Sequence, residues 1–204
     1  MHVDFSGLNK QETYQLMTET IIPRPIAWVL SENENETFNL APFSYFNAIA
    51  SRPALFSISI GYRPDGGFKD TRRNLEARND FVLHIPSVSQ AKMVTESSKP
   101  FPTNVSEIEE LGLDVVRDFK TTHLPRLSHS LVAYHCRYHQ TFELGVDKQG
   151  LLIGEIISAF VDDAIVGPGL HCSAEKIDPL GRLGGNDYAS LGQIQSVQRA
   201  PYKP

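Results

Sequence analysis

The sequence predicts a mainly β protein, a closed or nearly closed antiparallel barrel with a few peripheral helices. Three observations lead there. About seven short runs of β-branched, aromatic or alternating residues are spread along the 204-residue chain. The helical segments between them do not alternate regularly with the strands, which argues against a doubly wound parallel sheet. The last two runs are long and flank Gly145-Val-Asp-Lys-Gln-Gly150, a hairpin signal.

The first helix is expected over residues 11–20, where Tyr14, Met17 and Ile21 recur at helical spacing before Pro23 and Pro25 forbid continuation. Strand-like runs follow at residues 26–30, 38–40, 43–50 and 54–61, the last carrying the alternation Ser57-Ile58-Ser59-Ile60. Residues 81–85, 113–119, 130–144 and 151–161 supply four more. Three further helices have local start signals: Asp70 or Thr71 opens one, Ser87 precedes the next and Asn104 the third. Gln90 and Glu107 stand three residues after the last two caps, as a capping box requires. No repeat or linker divides the chain, which therefore reads as one unit.

Composition narrows the partners. A hydrophobic fraction of 41% excludes disorder as the default. With 19 Lys+Arg against 24 Asp+Glu the net charge is −5, so nucleic acid is not an expected partner. No apolar run approaches the roughly 18 residues of a spanning helix, and MHVDFSGLNK lacks a basic-then-apolar leader. The expectation is a cytoplasmic protein without membrane contact. Two cysteines, Cys136 and Cys172, are too few for a disulfide framework or a four-thiolate zinc site. His135 and His139, four apart on a strand candidate, are separated by ~13 Å and do not share a metal.

Familiar catalytic signatures are absent. There is no phosphate-loop motif, and Gly167-Pro168-Gly169 fails as a dinucleotide fingerprint because Cys172 stands at its third glycine. Neither G-x-S-x-G nor H-E-x-x-H occurs. The informative stretch is residues 22–81. Pro42 is expected to interrupt a strand where Ser44, Tyr45, Phe46 and Asn47 offer hydroxyl, amide and aromatic groups. Lys69-Asp70-Thr71 sits at a helix start, where free N–H groups and the helix dipole favour an anion, and Arg72 and Arg73 add positive charge. On residues alone this is either a phosphate-sized site or a simple cap beside a solvated basic face.

The blocks P-R-P-I-A-W-V, N-L-A-P-F-S-Y-F-N, S-R-P-A-L-F-S-I-S-I-G and K-D-T-x-x-N, in that order, resemble the flavin reductase-like family with the FMN-binding split-barrel fold. The resemblance covers roughly residues 12–165, and L-L-I-G-E-I-I-S-A-F is similar to the family's late barrel strand. It implies a split-barrel domain over residues 1–170, with residues 171–204 an extension packed on the barrel or on a dimer partner. It also implies a homodimer holding FMN non-covalently, taking hydride from NAD(P)H and passing electrons to a small-molecule or protein acceptor. The alternative is a non-catalytic or electron-carrying flavin protein.

Carried over by residue, the resemblance places Asn39, Ala41, Pro42, Ser44, Tyr45, Phe46 and Asn47 around the flavin ring and ribityl chain, with Ser59 and Gly61 on the next strand end. Lys69, Asp70, Thr71 and Asn74 match the phosphate block. Arg24 is a further cofactor contact, and Trp28 is either an apolar wall or core. Phe68 either covers the flavin or anchors its loop. His84, His129 and His171 either approach the cofactor or are structural, and Arg182 and Tyr188 either fold over the flavin or dimer, or belong to a loose tail. Hydride transfer needs no protein acid or base, so no catalytic side chain is expected.

Overall fold

The computed structural model describes residues 1–198 and 200. One helix, α1 (Lys10–Thr20), opens the chain behind a complete capping box between Asn9 and Glu12. It is followed by β1 (Ala27–Glu32), β2 (Phe38–Phe43), β3 (Phe46–Ser51) and β4 (Ala54–Ile60), then α2 (Asp70–Arg78) and β5 (Asp80–His84). Short helices α3 (Ala91–Glu96) and α4 (Glu107–Glu110) and a two-residue pair, β6 (Val115–Val116) with β7 (Arg126–Leu127), come next. The long hairpin β8 (Val132–Leu144) and β9 (Gln149–Val161) completes the main sheet. Helix α5 (Ala174–Ile177) and a small hairpin, β10 (Gly181–Arg182) with β11 (Tyr188–Ala189), end the regular structure.

Seven strands form one antiparallel sheet in the order β2-β1-β5-β8-β9-β4-β3. Side chains alternate across β1. Ala27 and Val29 meet Phe56, Ile58, Phe81, Leu83 and Leu152 on the inner face, while Ile26, Trp28 and Leu30 meet Val94, Ile108 and Leu124 on the other. Both faces of β1 are therefore buried. Inside, Phe46, Phe56 and Phe81 stack edge to face in series. Gly154 makes that possible, because a Cβ there would lie 2.5 Å from the Phe56 ring. Helix α2 closes one end through Thr71, Asn74 and Leu75, which are buried one turn apart.

Three sequence expectations need correction. Strand β2 runs through Pro42, which pairs with Trp28, and the break falls after Phe43. Proline is tolerated because β2 is an edge strand: the Leu40 N–H, two residues earlier and on the same outward side, bonds to Glu107 rather than to a strand. Residues 113–119 form only the two-residue β6, and α4 is capped by Ser106, since Asn104 adopts φ +63°. The capping box of Ser87 and Gln90 is present.

Candidate functional site

A cavity of about 590 Å³ opens between the β2 edge, the start of α2 and the chain after α3. Asn39, Ala41, Pro42 and Phe43 give it a strand wall, and Lys69, Asp70 and Thr71 a helix end. Helix α2 begins at Lys69 as N-cap with no side-chain cap. Its first intrahelical bond is Arg73 N–H to Lys69 O at 3.1 Å. The N–H groups of Asp70, Thr71 and Arg72 thus have no helical acceptor and, among the described residues, no other one. Neither Asp70 nor Thr71 serves as the cap, so the simple-cap reading fails at this helix.

Side chains sharpen the same end. Asn39 donates to Thr71 Oγ1 at 3.0 Å, so the hydroxyl proton of the buried Thr71 is left to donate elsewhere. Lys69 is an exposed residue whose ammonium lies 5.9 Å from the Phe43 ring centroid, and partial shielding from water lowers its pKa. It has no carboxylate partner among the described residues. Asp70 is neutralised from both sides by Arg63 and Arg73.

The basic cluster expected at this helix start is therefore smaller than the sequence suggested. Arg72 turns away, pairs with Glu76 at 2.9 Å and Glu143 at 3.1 Å, and lies 4.0 Å over the Phe68 ring. Arg73 is spent on Asp70, which leaves Lys69 as the unpaired cation. Phe68 packs on Tyr62 and Arg72 and anchors the 63–67 loop, which is closed by Arg63 N–H to Gly67 O at 2.8 Å.

Of the residues singled out from sequence, Asn39, Ala41, Pro42, Lys69, Asp70 and Thr71 come together around this cavity, and Ser44, Arg182 and Tyr188 line a smaller pocket beside it. The others lie elsewhere. Tyr45 stands just before β3 and Phe46 and Asn47 open it, and Ser59 and Gly61 lie against Gln149, which donates to Ser59 Oγ at 2.9 Å. Asn74 donates to Ser31 and Asn33 beneath the helix. Arg24 is buried and donates to the carbonyls of Thr18, Ile21 and Leu183. Trp28 is core, with Nε1 bonded to Ser97 Oγ at 2.9 Å.

His84 is fully buried, with Nδ1 on the Trp28 carbonyl and Nε2 accepting the Leu127 N–H. Burial lowers its pKa to about 4. His129 and His171 are exposed.

Sequence reasoning missed three parts of the wall: residues 62–65, residues 97–101 and Glu107. The segment from Ser97 to Phe101 lines the cavity opposite the helix start, and nothing in Ser-Ser-Lys-Pro-Phe except a helix-ending proline hinted at it. Glu107 was expected only as a capping residue. It is buried, lines the cavity, and its Oε2 accepts the Leu40 N–H at 2.8 Å. Burial pushes its pKa up to about 7, against the backbone bond that favours the anion.

The family model described as flavin reductase like domain matches residues 17–180. The chain belongs to the flavin reductase-like family. Solved structures agree. Nitrilotriacetate monooxygenase component B from Bacillus cereus superposes with a TM-score of 0.90 at 31% identity, over 97% of this chain and 98% of that one. The 2-nitrobenzoate 2-nitroreductase of Pseudomonas fluorescens gives 0.89 at 27% identity, over 100% and 98%. A Shewanella frigidimarina structure described as a flavin reductase with a split barrel domain gives 0.84 at 18% identity, over 98% and 100%. The seven-stranded sheet is accordingly a split barrel.

Proposed function

We propose that the chain is an FMN-dependent oxidoreductase of flavin-reductase type, which uses NAD(P)H as reductant and passes electrons to a small-molecule or protein acceptor. The observation that carries this reading is the uncapped start of α2, with Lys69 unpaired beside it, facing a cavity of about 590 Å³ in a member of the flavin reductase-like family. That donor set fits a phosphate monoester: free helix N–H groups, one ammonium, and a hydroxyl whose proton is available. Structural relatives named as a monooxygenase component and a nitroreductase support an oxidoreductase in particular.

FMN, when bound, supplies the hydride acceptor and the onward electron donor. The protein's part is binding and orientation. Lys69, Thr71 and the N–H groups at the start of α2 hold the phosphate, and Asn39 fixes the Thr71 hydroxyl so that its proton points away from Asn39. Arg63 and Arg73 neutralise Asp70, which would otherwise repel the same phosphate. Ala41, Pro42 and Phe43 provide an apolar wall that excludes water from one side. A homodimer is part of the proposal, with the exposed apolar side chains of Tyr45, Ile49, Phe142 and Leu144 as its contact surface, and with residues 171–204, of which 199 and 201–204 lie outside the described residues, as an extension packed on the barrel or on the dimer partner. A cytoplasmic location, where reduced nicotinamide nucleotides are supplied, is part of the same proposal.

The test is anaerobic. The purified chain, loaded with FMN, is mixed with NADH or NADPH in a stopped-flow spectrophotometer. Rapid bleaching of the flavin band is expected with one or both nucleotides. Failure to bind FMN, or bound FMN that neither nucleotide bleaches, overturns the reading; in the second case the alternative, a non-catalytic or electron-carrying flavin protein, takes its place, and reduction by a partner protein identifies the carrier.

A further inference from the structure

A second, smaller pocket of about 130 Å³ adjoins the main cavity, sharing Pro42, Phe43 and Ser98 with it. Its size is informative, since an apolar protein cavity of about 150 Å³ takes up benzene. One six-membered ring fits. Ile26, Phe43 and Val94 supply an apolar floor, and Ser44, Arg182 and Tyr188 polar groups.

The cation at this pocket is held by the chain's own C-terminal hairpin. Arg182 lies over the Tyr188 ring at 4.6 Å and donates to the carbonyls of Asp187 and Gly185, which occupies two of its five N–H groups. It has no carboxylate partner among the described residues. The hairpin is fixed to the barrel by reciprocal backbone bonds between Arg24 and Arg182, at 3.0 and 2.8 Å, and by Arg24 Nη2 donating to Leu183 O at 2.7 Å. Gly181 and Gly184 permit the close approach, because a Cβ would lie 3.1 Å from Pro23 at the first and 2.4 Å from Glu19 at the second. Tyr188 is tied to α3 by a 3.0 Å bond between its hydroxyl and that of Thr95. Arg24 is thus a positioning residue for Arg182.

We infer that this pocket is a subsite for the ring of an aromatic carboxylate, with Arg182 binding the carboxylate and Ile26, Phe43 and Val94 packing on the ring. A ring-sized pocket with an apolar floor, a polar rim and a fixed cation that has no counter-ion among the described residues favours an anionic ring over a neutral one. As the place of a second substrate the subsite rests on the flavin reading above, whereas its binding of an aromatic anion does not.

The test is calorimetry with benzoate and with neutral benzamide, run on the chain with and without FMN, together with flavin difference spectra. Benzoate is expected to bind at least tenfold more tightly than benzamide and to perturb the flavin band. Arg182→Gln is expected to weaken benzoate at least tenfold with benzamide changed less than twofold, and Arg182→Lys to restore part of the preference. Equal affinity for the two ligands, no benzoate binding, or an Arg182→Gln variant that weakens both or neither overturns the inference. FMN binding without benzoate binding leaves the flavin reading standing and removes the subsite. Arg182-dependent benzoate binding to a chain that fails to take up FMN does the reverse.

Discussion

Replacing Glu107 by Gln should stabilise the flavin-free chain, and by an amount that grows with pH. The carboxyl group is buried, accepts the Leu40 N–H, faces Asp70 and Arg63, and titrates at about 7 instead of 4.5. Between those two values the folded protein holds a proton that the unfolded chain has released, so stability falls as pH rises from 4.5 to 7 and stays low above. At 1.36 kcal/mol per pKa unit the full loss is about 3 kcal/mol. Gln mimics the protonated form, and its carbonyl still accepts from Leu40. The gain should be a few tenths of a kcal/mol at pH 4.5 and about 3 kcal/mol at pH 8. At about 2–4 °C per kcal/mol for a chain this long, that is a rise in Tm of about 6–12 °C at pH 8. Thermal melts of both proteins at the two pH values decide. A gain of equal size at both, or none at pH 8, refutes the assignment of a destabilising buried charge.

Other expectations follow from separate parts of the molecule. Lys69→Ala should raise the Kd for FMN by about 10- to 100-fold, the cost of one charge-assisted hydrogen bond, as measured by flavin fluorescence titration. His84 titrates at about 4 when folded against 6.5 when unfolded, so its contribution is intact above pH 6.5 and is lost as pH falls toward 4. Urea midpoints should drop over that window, and His84→Gln should flatten the slope. Gly154→Ala should cost about 1–3 kcal/mol by overpacking against Phe56, seen as a lower Tm.

Much of the fold was legible because the strands state their own period. The alternation at residues 57–60 and the glycine-bounded turn before residue 151 are local signals, and β4 and the β8–β9 hairpin follow them closely. Residues 113–119 are apolar enough for a strand, yet Leu113, Val115 and Phe119 are used to cover the outer core, and only two residues pair. The helix-start part of the cavity wall was also readable, since Lys69, Asp70 and Thr71 are contiguous in sequence. What was not readable is where charge ends up. Arg72 and Lys69 are three residues apart, but Glu76, Phe68 and the sequence-distant Glu143 draw Arg72 off. Glu107 and the Ser97–Phe101 wall were hidden for the same reason: their role depends on which strand edge they happen to cover.

That edge has a consequence for the behaviour of concentrated solutions. Outward donors and acceptors of β2 are taken at each of three alternate positions: the Phe38 carbonyl accepts from Ser106, the Leu40 N–H is taken by Glu107, and Pro42 has no N–H to offer. An intruding strand from another molecule finds an interrupted ladder there. The short helix α4 and its cap therefore act as a guard against templated aggregation at the β2 edge beside the cavity, and substituting Ser106 and Glu107 together so that both bonds are lost should cost solubility before it costs the fold.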